Sequence, residues 1–193
     1  MTPTTIERRT NETRVIVELD LTGEGQAQVS TGIGFLDHLL TALARHARFD
    51  LVVRCDGDLV VDDHHTVEDV ALSLGNALDG ALGDRAGINR FGDATVPLDE
   101  ALSRVAIDLS GRPFADVNLG LRRETIGTLA TENIAHFLRS LALSARMALH
   151  VDVLKGDNDH HRAESAFKAL ALALKHAVSP SGFTDVPSTK GVL

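Results

Sequence analysis

The chain has 193 residues, 44% of them apolar, and 19 Lys and Arg against 27 Asp and Glu, a formal charge of −8. That length supports one globular domain or two small fused halves. The acidic balance argues against nucleic-acid and anionic-membrane partners, which need a basic surface, while leaving room for a small anionic substrate held by a few local Arg or Lys residues.

The opening "MTPTTIERRTNET" lacks the apolar core of a signal peptide, so a soluble cytoplasmic protein is expected. "VIVELDL" (15–21) alternates as a strand, and "GFLDHLLTALARHA" reads as a helix through Phe35, Leu39 and Leu43 that carries His38. Strand "DLVVR" (50–54) follows. Cys55 is the only cysteine, which rules out an intrachain disulfide and a thiolate metal cluster and suits a reducing compartment. "DDHHTVED" (62–69) then opens an amphipathic helix with its stripe at Val67, Ala71, Leu74, Leu78 and Ala81.

"GDATVPLDEA" is expected to join a first half (1–92) to a second (93–193). "VAIDLSG" (105–111) alternates as a strand, and "SGRPF" (110–114) supplies a turn. "ENIAHFLRSLALSA" reads as a helix through Ile134, Leu138, Leu141 and Ala145 and carries His136. Strand "LHVDV" (149–153) leads to "DNDHHRAE" (157–164), which opens a helix with its stripe at Ala163, Phe167, Leu170, Leu174 and Ala177. The most apolar stretch, "ALALALKHAV", is too short to span a bilayer.

The two halves share one plan: strand, His-bearing helix, strand, His-His-x-x-Glu helix. The last helices have stripes with identical steps of four, three, four and three residues, each starting three positions after the first histidine of its pair. Four helices and roughly eight strands predict an α+β fold of two pseudo-twofold-related units that bury their helix stripes together.

The histidine pairs have a geometric reading. On a helix, His64 and Glu68 lie on one side, one turn apart, as do His160 and Glu164, so each pair can grip one cation. The adjacent residue is rotated by about 100° and must serve a different ion. One metal is expected on His64, Glu68, His161 and one upstream histidine, the other on His160, Glu164, His65 and the other upstream histidine. Imidazole and carboxylate without thiolate suit Mn, Fe, Co, Ni or Zn, and a six-coordinate ion keeps positions open for substrate. Asp62 and Asp63 are read either as partners orienting the imidazoles or as helix N-caps. His46, His150 and His176 lack the symmetry and are read as structural or surface residues.

"GFLDHLL", "DDHHTVEDV", "INRFG", "PLDEAL", "LSGRPF", "DNDHHRAE" and the terminal "VPSTKGVL" together resemble the imidazoleglycerol-phosphate dehydratase family, from "RTNET" to the last residue. The resemblance implies a tandem repeat of a βαβ-type half with four-stranded sheets backed by helices. It implies a homo-oligomeric shell of 24 subunits, with two Mn(II) ions per active site between subunits and a small phosphorylated imidazole as substrate. Carried over motif by motif, the metal ligands are His38, His64, His65, Glu68, His136, His160, His161 and Glu164. Glu12 matches a glutamate that contacts substrate from a neighbouring chain. Arg90, Arg112, Ser188 and Lys190 match the phosphate site, and Asp99 of "PLDEAL" joins the substrate-binding set. A forked Arg pair with a Lys point charge is the chemistry a phosphate asks for. Ala42 stands where the family often has glutamine, and Ala135 where it often has an acidic residue.

The implied reaction removes water from imidazoleglycerol phosphate to give imidazole-acetol phosphate. The hydrogen lost sits on a non-acidic carbon attached to the imidazole ring, so two cations on the ring nitrogens have a Lewis-acid role. Glu12 or Glu164 carries protons, with His65 or a metal-bound water as competitors. A metal-storage or metal-sensing oligomer and a dinuclear phosphate-ester hydrolase are the competing readings.

Overall fold

The computed structural model describes residues 3–191 and 193. The first half runs β1 (Thr4–Arg9), β2 (Thr13–Asp20), β3 (Ala27–Ser30), α1 (Gly34–Ala47), β4 (Asp50–Gly57) and α2 (His64–Leu82). The second runs β5 (Phe91–Leu98), β6 (Ala101–Asp108), β7 (Phe114–Asn118), the short pair β8 (Thr125–Ile126) and β9 (Leu129–Ala130), α3 (Thr131–Ser144), β10 (Ala148–Lys155) and α4 (Asp159–Val178). Each half builds a four-stranded mixed sheet, ordered β1-β2-β4-β3 and β5-β6-β10-β7. In both, the third strand runs parallel to its neighbour, with a helix in the crossover between them.

The helices fill the space between the sheets. α2 covers β1 and β2, α4 covers β5 and β6, and across the middle α2 packs on α3 and α1 on α4. One continuous apolar core results, drawing on both halves. The expected stripes are what it uses, save at one end: Val67, Ala71, Leu74 and Leu78, and every stripe position of α4 from Ala163 to Ala177, are at most 3% exposed, while Ala81 is only half-buried. Among the described residues, no helix is long and apolar enough to cross a membrane.

The sequence reading missed the sheet edges. β1 and β3 alternate between half-buried and exposed, and β5 and β7 do so with a single buried position each, so each shows too few apolar residues to stand out. "GDATVPLDEA", expected as a connector, lies mostly in β5, which pairs antiparallel with β6. Pro97 is tolerated there because β5 is an edge strand. Gly92 is required for a different reason: a Cβ at this position would stand 2.0 Å from the Ala173 carbonyl oxygen of α4. Both residues look like breakers in the sequence and are fitted to a strand in the structure.

Candidate active site

The metal-type side chains gather at the N-terminal ends of α2 and α4, each beside the first turns of the helix from the other half. His64 and Glu68 on α2 meet His136 on α3, and His160 and Glu164 on α4 meet His38 on α1. In each trio the ligand atoms lie within 4.8 Å of one another. His136 Nε2 stands 3.1 Å from Glu68 Oε1, and the His64 and His136 rings stack at 4.8 Å. In the second trio, His38 Nε2 and His160 Nε2 both lie 3.1 Å from Glu164 Oε2. The i,i+4 pairing read from the sequence is therefore realised twice. The structure also decides which upstream histidine goes where: each comes from the opposite half.

His65 and His161 join neither trio of their own chain. Their rings stand nearly perpendicular to those of His64 and His160, at 79° and 85°. His65 Nδ1 is 3.0 Å from Asp58 Oδ2, with Nε2 at 3.7 Å from Glu12 Oε1. His161 Nδ1 is 2.8 Å from Glu100 Oε2, with Nε2 at 3.9 Å from Asp99 Oδ2. The hydrogen bond to Asp58 raises the pKa of His65, and that to Glu100 raises the pKa of His161. The same His161 bond holds the Glu100 carboxyl down at about 2. The expected gathering of His161 with His64, and of His65 with His160, does not occur within one chain. A rotation of about 100° along the helix turns these rings to another flank.

Around the trios, Asp62 and Asp63 divide the two roles read from the sequence. Asp62 Oδ1 accepts from the His64 backbone N–H at 2.8 Å, a capping bond. Asp63 makes no such bond. It accepts from the Ala130 N–H at 2.7 Å and from Asn133 Nδ2 at 2.9 Å, and Asn133 Oδ1 in turn meets His64 Nδ1 at 3.2 Å. With Nδ1 so engaged, Nε2 is the nitrogen of His64 left for another partner. Lys168 Nζ lies 2.8 Å from Glu164 Oε1. Burial pushes the Glu164 carboxyl up, but the hydrogen bonds from Lys168 and His38 outweigh it and leave its pKa at about 2. Asn133, Lys168, Asp58 and Glu100 were missed in the sequence. Only Lys168 carried a local signal, four residues after Glu164 on the same helix.

The expected phosphate residues do converge. Arg90, Arg112, Ser188 and Lys190 line one cleft of about 480 Å³ together with Asp185 and Pro187. Arg90 sits at φ 68, in the left-handed region. Its guanidinium forks onto Asp108 at 2.7 and 3.0 Å and donates to the Pro187 carbonyl at 2.8 Å. It therefore holds the C-terminal segment in place while keeping two of its five N–H donors. Arg112 and Lys190 are exposed. No residue of either trio lines this cleft, and Glu12 and Asp99 do not line it either; both stand at hairpin turns beside His65 and His161. His46, His150 and His176 are exposed and belong to neither trio.

Fold and site define a duplicated α+β protein whose halves build two imidazole–carboxylate centres across their shared helix interface. The sequence profile of imidazoleglycerol-phosphate dehydratase matches residues 31–174. The chain is 54% identical to the imidazoleglycerol-phosphate dehydratase of Candida glabrata, over 97% of this chain and 98% of that protein. It is 60% identical to the one from Phytophthora nicotianae, where it spans 97% of itself but 42% of the longer relative. The crystal structure of the enzyme from Pyrococcus furiosus superposes with a TM-score of 0.85 at 37% identity, covering 97% of this chain and all of that one. That from Staphylococcus aureus gives 0.84 at 32% identity, covering 93% of this chain and all of that one. The chain belongs to the imidazoleglycerol-phosphate dehydratase family, enzymes of histidine biosynthesis.

Proposed function

We propose that the protein is a manganese-dependent hydro-lyase of the cytoplasm that dehydrates imidazoleglycerol phosphate to imidazole-acetol phosphate. The observation that carries this is the pair of preassembled trios, each with two imidazoles and one carboxylate and no thiolate. That donor set suits Mn(II), and three donors leave room for a fourth protein ligand and for substrate. His64, Glu68 and His136 would hold one ion, and His38, His160 and Glu164 the other. When bound, the two ions supply Lewis acidity to the substrate's ring nitrogens.

The chain's own residues do the rest. His65 and His161 are turned away from their own trios, each oriented by a carboxylate on Nδ1, and would complete the metal sites of neighbouring copies in a 24-subunit shell. The half-exposed Glu12 carboxylate is the better placed proton carrier, because both oxygens of Glu164 are already taken by His38, His160 and Lys168. Arg112 and Lys190 bind the phosphate, Ser188 adds a hydroxyl, and Arg90 shapes the cleft around them.

A single-turnover incubation with imidazoleglycerol phosphate, with Mn(II) and after chelation, tests the proposal. Metal-dependent appearance of the enol or ketone product supports it. Release of inorganic phosphate instead marks a phosphate-ester hydrolase, and full turnover in metal-free protein overturns the metal's role.

A further inference from the structure

The residue after each metal-type carboxylate is buried and ties its helix to the hairpin of its own half. On α4, Ser165 Oγ lies 2.6 Å from Ser103 Oγ of β6, below the turn that carries Asp99 and Glu100. On α2 the equivalent contact is charged. Asp69, 4% exposed, accepts from Thr13 Oγ1 at 2.5 Å through one oxygen and from Arg8 Nε at 2.7 Å through the other. Thr13 is the first residue of β2 and Arg8 is near the end of β1, so one carboxylate clasps both strands of the hairpin.

The clasp continues to Glu12. Thr10 Oγ1, 3.3 Å from Thr13 Oγ1, accepts from the backbone N–H of Thr13 at 2.9 Å and of Glu12 at 3.1 Å. The Glu12 carbonyl accepts from the N–H of Asp58, whose carboxylate holds His65. Glu12, half exposed at the turn, is thereby set against a helix that also carries His64, His65 and Glu68. Placement to within a fraction of an ångström is what a proton-transferring group needs.

We infer that Asp69 is a positioning residue for the reaction: through Thr13 and Thr10 it fixes the β1–β2 turn so that Glu12 is presented in one geometry relative to His65, its neighbour on α2. This rests on the proton-carrying role proposed for Glu12. Asp69 touches neither the phosphate cleft nor either trio directly, so its loss acts on kcat and not on metal or phosphate binding.

Thr13→Val removes the link from the hairpin side without altering α2, Thr13→Ser retains the hydroxyl, and Asp69→Asn removes the charge. The expected result is a kcat lowered by roughly ten- to hundredfold in Thr13→Val and Asp69→Asn. KM should stay within about threefold and Mn(II) content at the wild-type value, with Thr13→Ser near wild type. In a Glu12→Gln background, Thr13→Val should add little, because residues acting through one group are not additive. Wild-type kcat in folded Thr13→Val, beside an impaired Glu12→Gln, overturns the positioning role alone. Wild-type kcat in Glu12→Gln removes the role of Glu12 on which it rests. Loss of metal in Thr13→Val also overturns it, since the hairpin link would then be supporting the metal centre.

Discussion

His136 Nε2 lies 3.1 Å from Glu68 Oε1, although the two residues belong to opposite halves of the chain. The contact exists because α2 and α3 pack face to face, and its pseudo-twofold mate joins His38 to Glu164 through α1 and α4. Each centre therefore depends on one helix interface, and the two can be damaged separately. In anomalous maps of Mn(II)-loaded crystals, His64→Ala, Glu68→Ala and His136→Ala should fade one peak, and His38→Ala, His160→Ala and Glu164→Ala the other. His65→Ala should fade the peak on the second trio. If His64→Ala and His65→Ala empty the same peak, adjacent histidines do not divide the ions.

The ring of His64 is held by Asn133, which is held by Asp63. Asn133→Ala frees that ring without removing a ligand, and should weaken Mn(II) binding at the first trio by roughly ten- to hundredfold. Isothermal titration with Mn(II) would show one of two affinities fall and the other stay.

Gly75 tests the same interface from the packing side. A Cβ there would stand 1.9 Å from Ser144 Oγ and 2.8 Å from the Ala145 backbone nitrogen, so α2 and α3 must separate to admit it. Gly75→Ala should cost about 1–3 kcal/mol of stability by overpacking. It should weaken metal binding at the α2–α3 centre more than at the α1–α4 centre. Equal loss at both would mean that the helix pairs move as one body.

In the cleft proposed for the phosphate the two arginines should behave differently. Arg112→Ala and Lys190→Ala each remove a charge-assisted contact worth about 1.5–3 kcal/mol and should raise KM roughly ten- to hundredfold at normal metal content. Arg90 also holds Pro187 and Asp108. Arg90→Ala should therefore raise KM and, in addition, speed amide hydrogen exchange over residues 185–191. Unchanged exchange there would show that the C-terminal segment is held by other contacts.

Cys55 should be nearly inert. Burial first, then the nearby Asp69 charge, pushes its thiol from 9.0 up to about 11. At pH 8 the folded protein should react with iodoacetamide roughly a hundredfold more slowly than the unfolded chain, because the thiolate is the nucleophile. The sign for stability follows. The unfolded thiol ionises near 9.0 and the folded one near 11, so the contribution is complete below pH 9 and is lost as pH rises through about 11. Equal alkylation rates would refute the shift.

Much of the molecule was legible from local pattern. The strong 3.6-residue periodicity of α1 to α4 comes from burying one face against a sheet and another helix, and it repeats in register in both halves. The i,i+4 spacing of His64 with Glu68 and of His160 with Glu164 is a property of the helix itself, so those pairs were readable before any tertiary contact was known. The edge strands were not, because β1 and β5 bury few side chains and β5 contains Gly92 and Pro97, whose fitness depends on α4 and on the free edge. Nor does any local pattern tell which upstream histidine completes each trio, that Asn133 and Lys168 support them, or that Arg90 spends its fork on Asp108. Those contacts join residues from 18 to 126 positions apart, apart from the Lys168–Glu164 pair. They are set by how the two sheets clamp the helix layer between them. Periodicity records what one element wants to bury; only the packed halves decide what it meets.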